Sequence, residues 1–539
     1  MTPFQTFRLW ARRSPLAERA AAAGGALVAV GVLCWLVVPP GHPSTSAVVA
    51  GGPSGQTQTA STLPGKAASG LNGVGSGSSG NGLAGAARGG GATGGPVGQP
   101  AGATSSGGTS TGSGSTSAGS PGQVSAGSGC VSPPGSAPGV TAQQLRIAIT
   151  ITNIFGPAGN ETFGGVSPSQ AQAYVQDIVE GINASGGVAC RKLVPLYYDS
   201  NPVDSSNMES NCLSIVQAGV FAEIDQGGES VSPGPQCFAQ NHIPYFDSAN
   251  LLPNQLLSQY YPYLFVPWTT FDTVDHNTAF GLRDEGFFSR TKGFSKLGFV
   301  YLSCYPQVIS EFLGWLHDAG LSDSQIVTYD LGCPSTSIAS PGDEEQAVLK
   351  FKEAGVTNVT VAYMAGSFSN FTTIAEQQNF KPKYGIPDEA IIAISYGGQH
   401  PNYDNIAGAI GITDSSYGAE RTPGLPVSAA TARCNSYLTS RGQPTLYQMG
   451  VITGANIGAM CDELWMFKAA LEHAPVLSQG ALAAGLQAVK SLDFSYPFAP
   501  NDFSGHDVTW GGQYWRATEF MSSCTCWQAI EANFHSSYA

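Results

Sequence analysis

Apolar residues recur along this chain with two spacings, one typical of strands and the other of helices. Residues 145–151 alternate and are rich in β-branched side chains, which predicts a strand. Residues 167–182 carry apolar side chains at helical spacing, residues 183–187 supply glycines that end a helix, and residues 193–198 form a second strand. This strand–helix–strand unit predicts a parallel sheet, which binds ligands at the carboxyl ends of its strands.

The same two spacings of apolar residues continue almost to the end of the chain. We expect further strands over residues 220–225, 243–247, 263–266, 297–302, 325–330, 359–363, 390–395 and 407–412, and a hairpin around Gly511-Gly512 within residues 508–530. We expect helices from Pro233 and over residues 274–288, 308–319, 344–354, 368–378, 427–440, 449–473 and 482–492. Two successive series predict an α/β protein with two doubly wound parallel-sheet lobes, because about 400 residues are too many for one core.

The first unit also resembles a known family. The segment Ile182-Asn-Ala-Ser-Gly-Gly-Val188, the following Arg191-Lys-Leu193, the strand ending in Tyr198-Asp-Ser200 and the cysteine-containing helix after it resemble the opening of type I periplasmic binding proteins. The closest branch is the one that binds leucine, isoleucine, valine or amides. The resemblance covers residue 138 to the C-terminus and implies two lobes joined by a hinge.

The resemblance implies that late segments of the chain return to the first lobe. The first lobe would then hold about residues 138–268 and 414–492, and the second about residues 269–413 and 493–539. We expect the chain to cross between the lobes near residues 266–270, near residues 412–415 and after Leu492. Closure would be a hinge motion at these crossings.

The N-terminal segment predicts export. Four arginines, at positions 8, 12, 13 and 19, precede an uncharged apolar run over residues 20–38 that is long enough to span a bilayer. Residues 1–50 are therefore a cytoplasmic stub with a transmembrane anchor, or a long signal peptide cut near residues 48–50. Lipidation at Cys34 is disfavoured, because Leu33 stands where such sites want a small residue.

Residues 51–137 read as a disordered linker. The tract up to residue 129 is almost entirely Gly, Ser, Thr and Ala and cannot bury enough apolar surface to fold. As a flexible chain it would span roughly 50 Å, enough to act as a tether. A formal dinucleotide fingerprint at residues 75–80 is an accident of composition, since no strand precedes it and no helix follows.

The charge of the chain is uneven. The formal net charge is −14, but the first 129 residues hold six basic residues and one acidic residue. The remainder therefore holds 17 basic and 36 acidic residues, a net charge of −19. Such an acidic folded part argues against nucleic acid as a partner, because phosphates are bound by Lys and Arg.

Ten of the 11 cysteines lie in the part predicted to be exported. An even count in an oxidising compartment favours disulfides. The pairs Cys212–Cys237 and Cys304–Cys333 are guesses, made because each would join neighbouring elements of one lobe. The alternative is a metal site that uses Cys524-x-Cys526, but no second closely spaced Cys or His pair completes it.

Catalytic motifs are missing from the sequence. It has no nucleophile elbow, no His-Glu-x-x-His and no phosphate-binding loop, and its eight histidines are scattered. We therefore expect a protein that is not an enzyme, with no cofactor and no metal. An exported hydrolase without a familiar signature is a remaining alternative.

Candidate ligand contacts follow the predicted strands. Hydroxyls, glycines, aromatic rings and free N–H groups ahead of helices suit an anionic or strongly polar ligand group. Each residue also has a structural explanation: a tight turn at Gly227-Gly228, a helix cap at the serines, and packing at the lobe boundary for the tyrosines. The predicted contacts are Gly228, Glu229, Ser230, Ser248, Ala249, Asn250, Tyr305, Ala365 and Tyr396.

One position departs from the family pattern. In the amino-acid-binding members a carboxylate follows the strand that corresponds to residues 390–395, and it meets the ligand's ammonium group. Here the matching position is Tyr396, and a neutral phenol cannot pair with an ammonium as a carboxylate does. An amide, an aromatic or carboxylic acid, or a small polyol-like solute is therefore expected in place of an α-amino acid.

These observations predict an extracytoplasmic solute-binding protein, tethered to the cytoplasmic membrane or secreted after signal cleavage. It would close two lobes around a small polar or carboxylate-bearing ligand and, as the resemblance implies, deliver it to a permease of the ATP-binding-cassette (ABC) type. The alternative is a ligand-sensing ectodomain of the same fold. Only about 20 residues precede the apolar run, so a separate partner would have to carry that signal.

Overall fold

The computed structural model describes residues 132–537, except for residues 155, 158–159, 161–164, 203, 227–232, 248–251, 335–338, 365–366, 392–402, 417–421 and 498. The predicted anchor or signal segment and the Gly/Ser-rich linker up to residue 131 lie outside the described residues. No helix in the described ranges is both long enough and apolar enough to cross a bilayer.

The first sheet has five parallel strands in the order β2-β1-β3-β4-β5. Its strands are β1 (Gln144–Thr152), β2 (Lys192–Ser200), β3 (Glu223–Asp225), β4 (Tyr245–Asp247) and β5 (Leu264–Phe265). The helices between them are α1 (Pro168–Ala184), α2 (Ser205–Ala218), α3 (Gly234–Gln240) and α4 (Asn254–Tyr260). The predicted first strand–helix–strand unit is confirmed, since β1 pairs in parallel with β2 along its whole length.

Local chemistry sets the ends of α1. The Ser167 side chain accepts a hydrogen bond from the backbone N–H of Gln170, and Pro168 occupies the first turn, where its missing N–H costs nothing. After the helix, Gly187 has a φ of 75°, and a Cβ there would lie 2.0 Å from the carbonyl oxygen of Arg191. Only glycine fits this turn, so the chain must reverse here into β2.

The second sheet has eight strands, seven of them in the order β14-β13-β10-β9-β8-β6-β7, with β15 paired to β13. Pairing is parallel except at β13, which runs antiparallel to β10, β14 and β15. Two short strands, β11 and β12, pair with each other outside this sheet. The strands are β6 (Leu297–Tyr301), β7 (Ile326–Asp330), β8 (Asn358–Ala362), β9 (Lys383–Ile386), β10 (Ile410–Thr413), β11 (Ser491–Leu492), β12 (Asn501–Asp502), β13 (Tyr514–Met521), β14 (Cys526–Ala529) and β15 (His535–Ser536).

The later helices divide between the two sheets. Helices α9, α10 and α11 pack on the first sheet, where Phe467 of α10 meets Phe246 of β4 edge to face with ring centroids 5.6 Å apart. The second sheet has its own core, centred on residues such as Phe351 and Phe371. The helices are α5 (Phe271–Asp284), α6 (Pro306–Asp318), α7 (Pro341–Glu353), α8 (Phe368–Gln377), α9 (Ala429–Thr439), α10 (Val451–Glu472) and α11 (Leu482–Val489).

The chain therefore passes between the two sheets three times: after β5, after β10 and before β13. We call the segments around residues 266–270, 413–416 and 494–513 the hinge segments. They contact one another, because Val266 bridges to Trp510 and Ser415 bridges to Pro497. The hinge segments therefore pack against one another where the chain crosses between the sheets.

The strand predicted over residues 390–395 does not start at Ala390, and residues 392–395 lie outside the described residues. Strand β9 lies earlier, at Lys383–Ile386, and the chain turns into a helix at Asp388 that continues to Ile391, the last residue described there. Pro387 has no N–H to continue the ladder. A short apolar run fits a buried helix as well as a buried strand, and Ala390 and Ile391 pack into the second core from that helix.

The hairpin near the C-terminus is present, but its predicted turn is wrong. Strands β13 and β14 are joined through residues 522–525, whereas Gly511 and Gly512 lie before β13 in the third hinge segment. Gly512 has a φ of 70°, and a Cβ there would lie 2.4 Å from the Thr269 side chain. These glycines let two hinge segments approach closely and do not mark a strand turn.

The two proposed disulfides, Cys212–Cys237 and Cys304–Cys333, are confirmed. Two further disulfides join Cys434 to Cys461, across α9 and α10, and Cys524 to Cys526 at the β13–β14 turn. Because Cys524 and Cys526 are bonded to each other, their sulfurs cannot act as the thiolate ligands of a metal site. Cys190 is also disulfide-bonded, to a partner outside the described residues.

Candidate functional site

Acidic and aromatic side chains gather at the carboxyl ends of both sheets. In the first sheet, β3 ends at Asp225 and β4 ends at Asp247, and these two residues are direct partners in the parallel register. In the second sheet, Tyr305 follows β6, Tyr363 follows β8 and Glu389 follows β9. Ligands of open parallel sheets bind at such ends, so these residues define the candidate site.

The first-lobe side of the site is a buried acidic cluster. The Thr150 hydroxyl lies 2.9 Å from Glu223 and also contacts Asp225, and the Tyr245 hydroxyl donates to Asp225 at 2.8 Å. Glu463 of α10 is also fully buried, and burial raises the pKa of its carboxyl well above the usual range, with the nearby first-sheet carboxylates adding to the effect. A positive ligand group nearby would favour the charged forms of these carboxyl groups.

Three aromatic rings form the second-lobe side. Tyr363 meets Phe271 edge to face at 4.8 Å, and Tyr305 lies 5.4 Å from Tyr363 and 6.0 Å from Phe271 between ring centroids. Burial raises the pKa of Tyr305, and negative charge on Tyr363 and on Asp247 acts in the same direction. Because Asp247 belongs to the first sheet, Tyr305 marks a point where the two lobes face each other.

A cavity of about 340 Å³ opens beside Tyr305. Its walls come from both lobes, with Pro253 and Asn254 at the start of α4 on one side and Tyr305 and Glu311 on the other. The Asp272 carboxylate, at the start of α5, accepts a hydrogen bond of 2.9 Å from the backbone N–H of Asn254. The volume lies within the range of small-molecule sites.

Asp388 ties the end of β9 to the hinge. Its carboxylate accepts hydrogen bonds from the hydroxyls of Thr413, Ser415 (3.1 Å) and Tyr496 (3.2 Å). Burial raises the pKa of Asp388, and these hydroxyls act in the opposite direction. The Tyr496 ring also stacks on Trp268 at 3.9 Å, so all three hinge segments meet around this residue.

The second carboxyl group at the end of β9 belongs to Glu389. It accepts no hydrogen bond from the described hydroxyls of the hinge segments. It is 8% exposed, and no described side chain donates a hydrogen bond to its oxygens. Burial raises its pKa to about 8, with negative charge on Asp388 adding to the shift, while the backbone amides of Glu389 itself and of Tyr363 oppose it. It can therefore shift between neutral and charged forms near neutral pH.

Tyr305 is the predicted contact that the structure describes, and it lies where the lobes face each other. The others, Gly228, Glu229, Ser230, Ser248, Ala249, Asn250, Ala365 and Tyr396, lie outside the described residues.

The prediction against an α-amino acid rests on Tyr396, which lies outside the described residues, so it stays a prediction. Strand β9 ends at Ile386, and two carboxyl groups, Asp388 and Glu389, follow it after Pro387. The signal that could have found them is Pro387, which ends a short alternating run immediately before two acids. Phe271 and Tyr363 were missed as well, because no local pattern indicates that three separate rings meet.

Solved structures share this fold. No family model and no curated protein sequence matches the chain. A periplasmic binding protein type 1 from Bordetella pertussis Tohama I superposes with a TM-score of 0.54 at 13% identity, covering 72% of this chain and 99% of that one. This chain has the type I periplasmic binding protein fold.

Two further proteins of this fold were solved with bound ligands. A solute-binding protein of an ABC transporter from R. palustris, in complex with 4-hydroxybenzoate, matches with a TM-score of 0.53 and 14% identity over 73% of this chain and 97% of its own. An ABC transporter substrate-binding protein from Desulfitobacterium hafniense, in complex with Leu, matches with a TM-score of 0.51 and 15% identity over 72% of this chain and all of its own. The TM-scores establish the type I fold, and identities this low do not identify the ligand of this chain.

Proposed function

We propose that this protein is an extracytoplasmic solute-binding protein that closes its two lobes on a small solute carrying a protonated nitrogen. The main support is the placement of Glu389, a buried carboxyl group at the end of β9 that interacts with the backbone amide of Tyr363, whose ring contacts Phe271 and Tyr305. Three hinge segments that meet at Asp388 supply the joint about which the lobes would close.

The charge of the site favours a cationic group on the solute. Asp225 and Asp247 end the strands of the first lobe, and Glu389 follows β9 in the second. Aromatic faces attract cations as well, by about 0.5–2 kcal/mol for each ring. A solute whose only charge is a carboxylate would bring a further negative charge into this cluster, and it is the less favoured class.

A carboxylate or other polar group at the opposite end of the solute is compatible with the proposal. The predicted contacts at residues 228–230 and 248–250 are placed by the sequence ahead of helices, where backbone N–H groups can hold an anion. A solute with both charges would join these contacts to Glu389, so α-amino acids and related amines return as candidates.

Delivery to an ABC-type permease is part of the proposal. Two of the solved structures above are described as substrate- or solute-binding proteins of ABC transporters, which supports a transport role and a binder that is not an enzyme. The predicted N-terminal anchor, or a cleaved signal, would keep the protein outside the cytoplasmic membrane. The sensing ectodomain is the alternative, and it predicts the same binding without transport.

A thermal-shift screen of the full chain tests the solute class. Matched sets should be compared: amino acids, the same carbon skeletons without the amine, and neutral polyols. We expect the amine-bearing set to raise the melting temperature in a concentration-dependent way. Glu389→Gln should need at least a tenfold higher solute concentration for the same rise. Glu345→Gln, at an exposed site on α7, is the matched control and should change nothing. A shift produced by the deaminated acids alone would overturn the assignment.

A further inference from the structure

A second cavity lies away from the candidate site, and its volume of about 700 Å³ is twice that of the cavity beside Tyr305. One wall comes from segments that pack on the first lobe, including the start of α9 and the turn before α10. The other wall comes from the last part of the second sheet, with Arg516 of β13 and Phe534 after β14. No residue of β3, β4, β6, β8 or β9 is among the described residues that line it.

The hinge segments separate this cavity from the candidate site. Ser415 donates a hydrogen bond to Asp388, whereas its neighbour Ser416 lines the cavity. In the same way the Tyr496 hydroxyl reaches Asp388 while Ser495 lines the cavity. In each of these two hinge segments one residue contacts Asp388 and its neighbour lines the cavity, so the two segments lie between Asp388 and the cavity.

The walls of the cavity are apolar and unusually open to solvent. Val427, Tyr447 and Phe534 all line it, and they are 69%, 59% and 42% exposed. Exposed apolar side chains scattered singly are ordinary, but a grouped set around a concavity marks a binding surface. The volume is within the 300–1,000 Å³ that is typical of small-molecule sites.

One cationic group lines the described part of the cavity. Arg516 is 5% exposed, and its backbone is fixed in the sheet opposite Thr413. Burial lowers the pKa of its guanidinium, and negative charge on Glu531 opposes the shift. The lining carboxylate, Asp493, already accepts a hydrogen bond of 3.0 Å from the backbone N–H of Ala430 at the start of α9. The described lining therefore combines apolar walls with one guanidinium, Arg516, on the second lobe and one carboxylate, Asp493, held at the start of α9.

We propose that this hinge-side cavity binds a small, mainly apolar molecule with a single anionic group, of the class of a medium-chain carboxylate. The apolar part covers Val427, Tyr447 and Phe534, and the anionic group pairs with Arg516. Because its walls come from both lobes, an occupant favours the arrangement of lobes in which both walls are in contact. The proposal does not depend on the solute assigned to the candidate site.

Calorimetric titration of the full chain with octanoate, compared with 1-octanol, tests the proposal. We expect saturable binding of one octanoate, and we expect Arg516→Gln to weaken it by about 10- to 100-fold while octanol binding stays unchanged. Arg283→Gln, at an exposed arginine of α5, is the matched control and should have no effect. Absence of saturable octanoate binding would overturn the proposal.

A second set of variants keeps the test decisive if Arg516→Gln does not fold. Tyr447→Ala and Phe534→Ala change exposed side chains, and each should weaken octanoate and octanol alike by about 3- to 10-fold. Leu349→Ala, at another exposed apolar residue, is the control and should leave both unchanged. If Glu389→Gln alters octanoate binding and these two variants do not, the molecule occupies the candidate site and the hinge-side proposal is wrong.

Discussion

Glu389 should make the stability of this protein depend on pH in a direction that a single substitution can reverse. Burial raises the pKa of this carboxyl group from its ordinary 4.5 to about 8. The folded protein therefore keeps a proton that the unfolded chain has lost at neutral pH. A group of this kind contributes its full stability below pH 4.5, and the contribution is lost as the pH rises through 8.

The magnitude follows from the size of the shift. Each pH unit between the two pKa values corresponds to about 1.4 kcal/mol, so the loss approaches about 5 kcal/mol above pH 8. Glu389→Gln keeps the shape of the side chain and cannot ionise. The variant should match the original protein near pH 4.5 and become steadily more stable than it as the pH rises.

Thermal unfolding between pH 4.5 and pH 8.5 provides the assay. Glu345→Gln, at the exposed position of α7, is the control and should follow the original protein at every pH. Parallel stability curves for the original protein and Glu389→Gln across this range would refute the reasoning, because they would mean that Glu389 is not held neutral by burial.

Two further predictions concern the hinge and the cross-links. Gly512→Ala should destabilise the protein by about 2 kcal/mol or more, because Gly512 has a φ of 70° and a Cβ there would lie 2.4 Å from the Thr269 side chain. Gly314→Ala, in an open helical position, is the control and should leave the melting temperature unchanged or raise it. Replacing both cysteines of Cys434–Cys461 by serine should cost about 2–4 kcal/mol in denaturant unfolding, because the bond joins two buried helices, and the same change at Cys524–Cys526 should cost much less, because it closes a loop of three residues. If Gly512→Ala and Gly314→Ala have equal effects, the first prediction is wrong. If the two disulfide replacements have equal effects, the second is wrong.

The early part of the fold was predictable because several signals agree there. Strands β1 and β2 are long, α1 has a regular apolar face with a serine cap, and Gly187 leaves the chain one way to turn. Local preference and tertiary packing therefore point to the same structure. The same agreement explains why Cys212–Cys237 could be paired from neighbouring elements.

The candidate site was harder to predict because its chemistry depends on burial. Glu223, Asp225 and Glu463 have no local sequence signal of burial, and strand register and α10 bring them together as a buried cluster. The end of β9 was misplaced because the apolar run at residues 390–393 outweighed the proline before it. With that displacement, Tyr396 and not Glu389 stands at the predicted strand end.

Titration calorimetry with the best amine-bearing solute tests the central claim most directly. The measurement should be made at pH 7 in two buffers of different ionisation enthalpy, with the original protein and Glu389→Gln. The proposal predicts that solute binding ionises Glu389 and releases close to one proton in the original protein, and that Glu389→Gln releases none and binds at least tenfold more weakly. Equal affinity for the two proteins, without proton release, would contradict a solute ammonium bound at the end of β9.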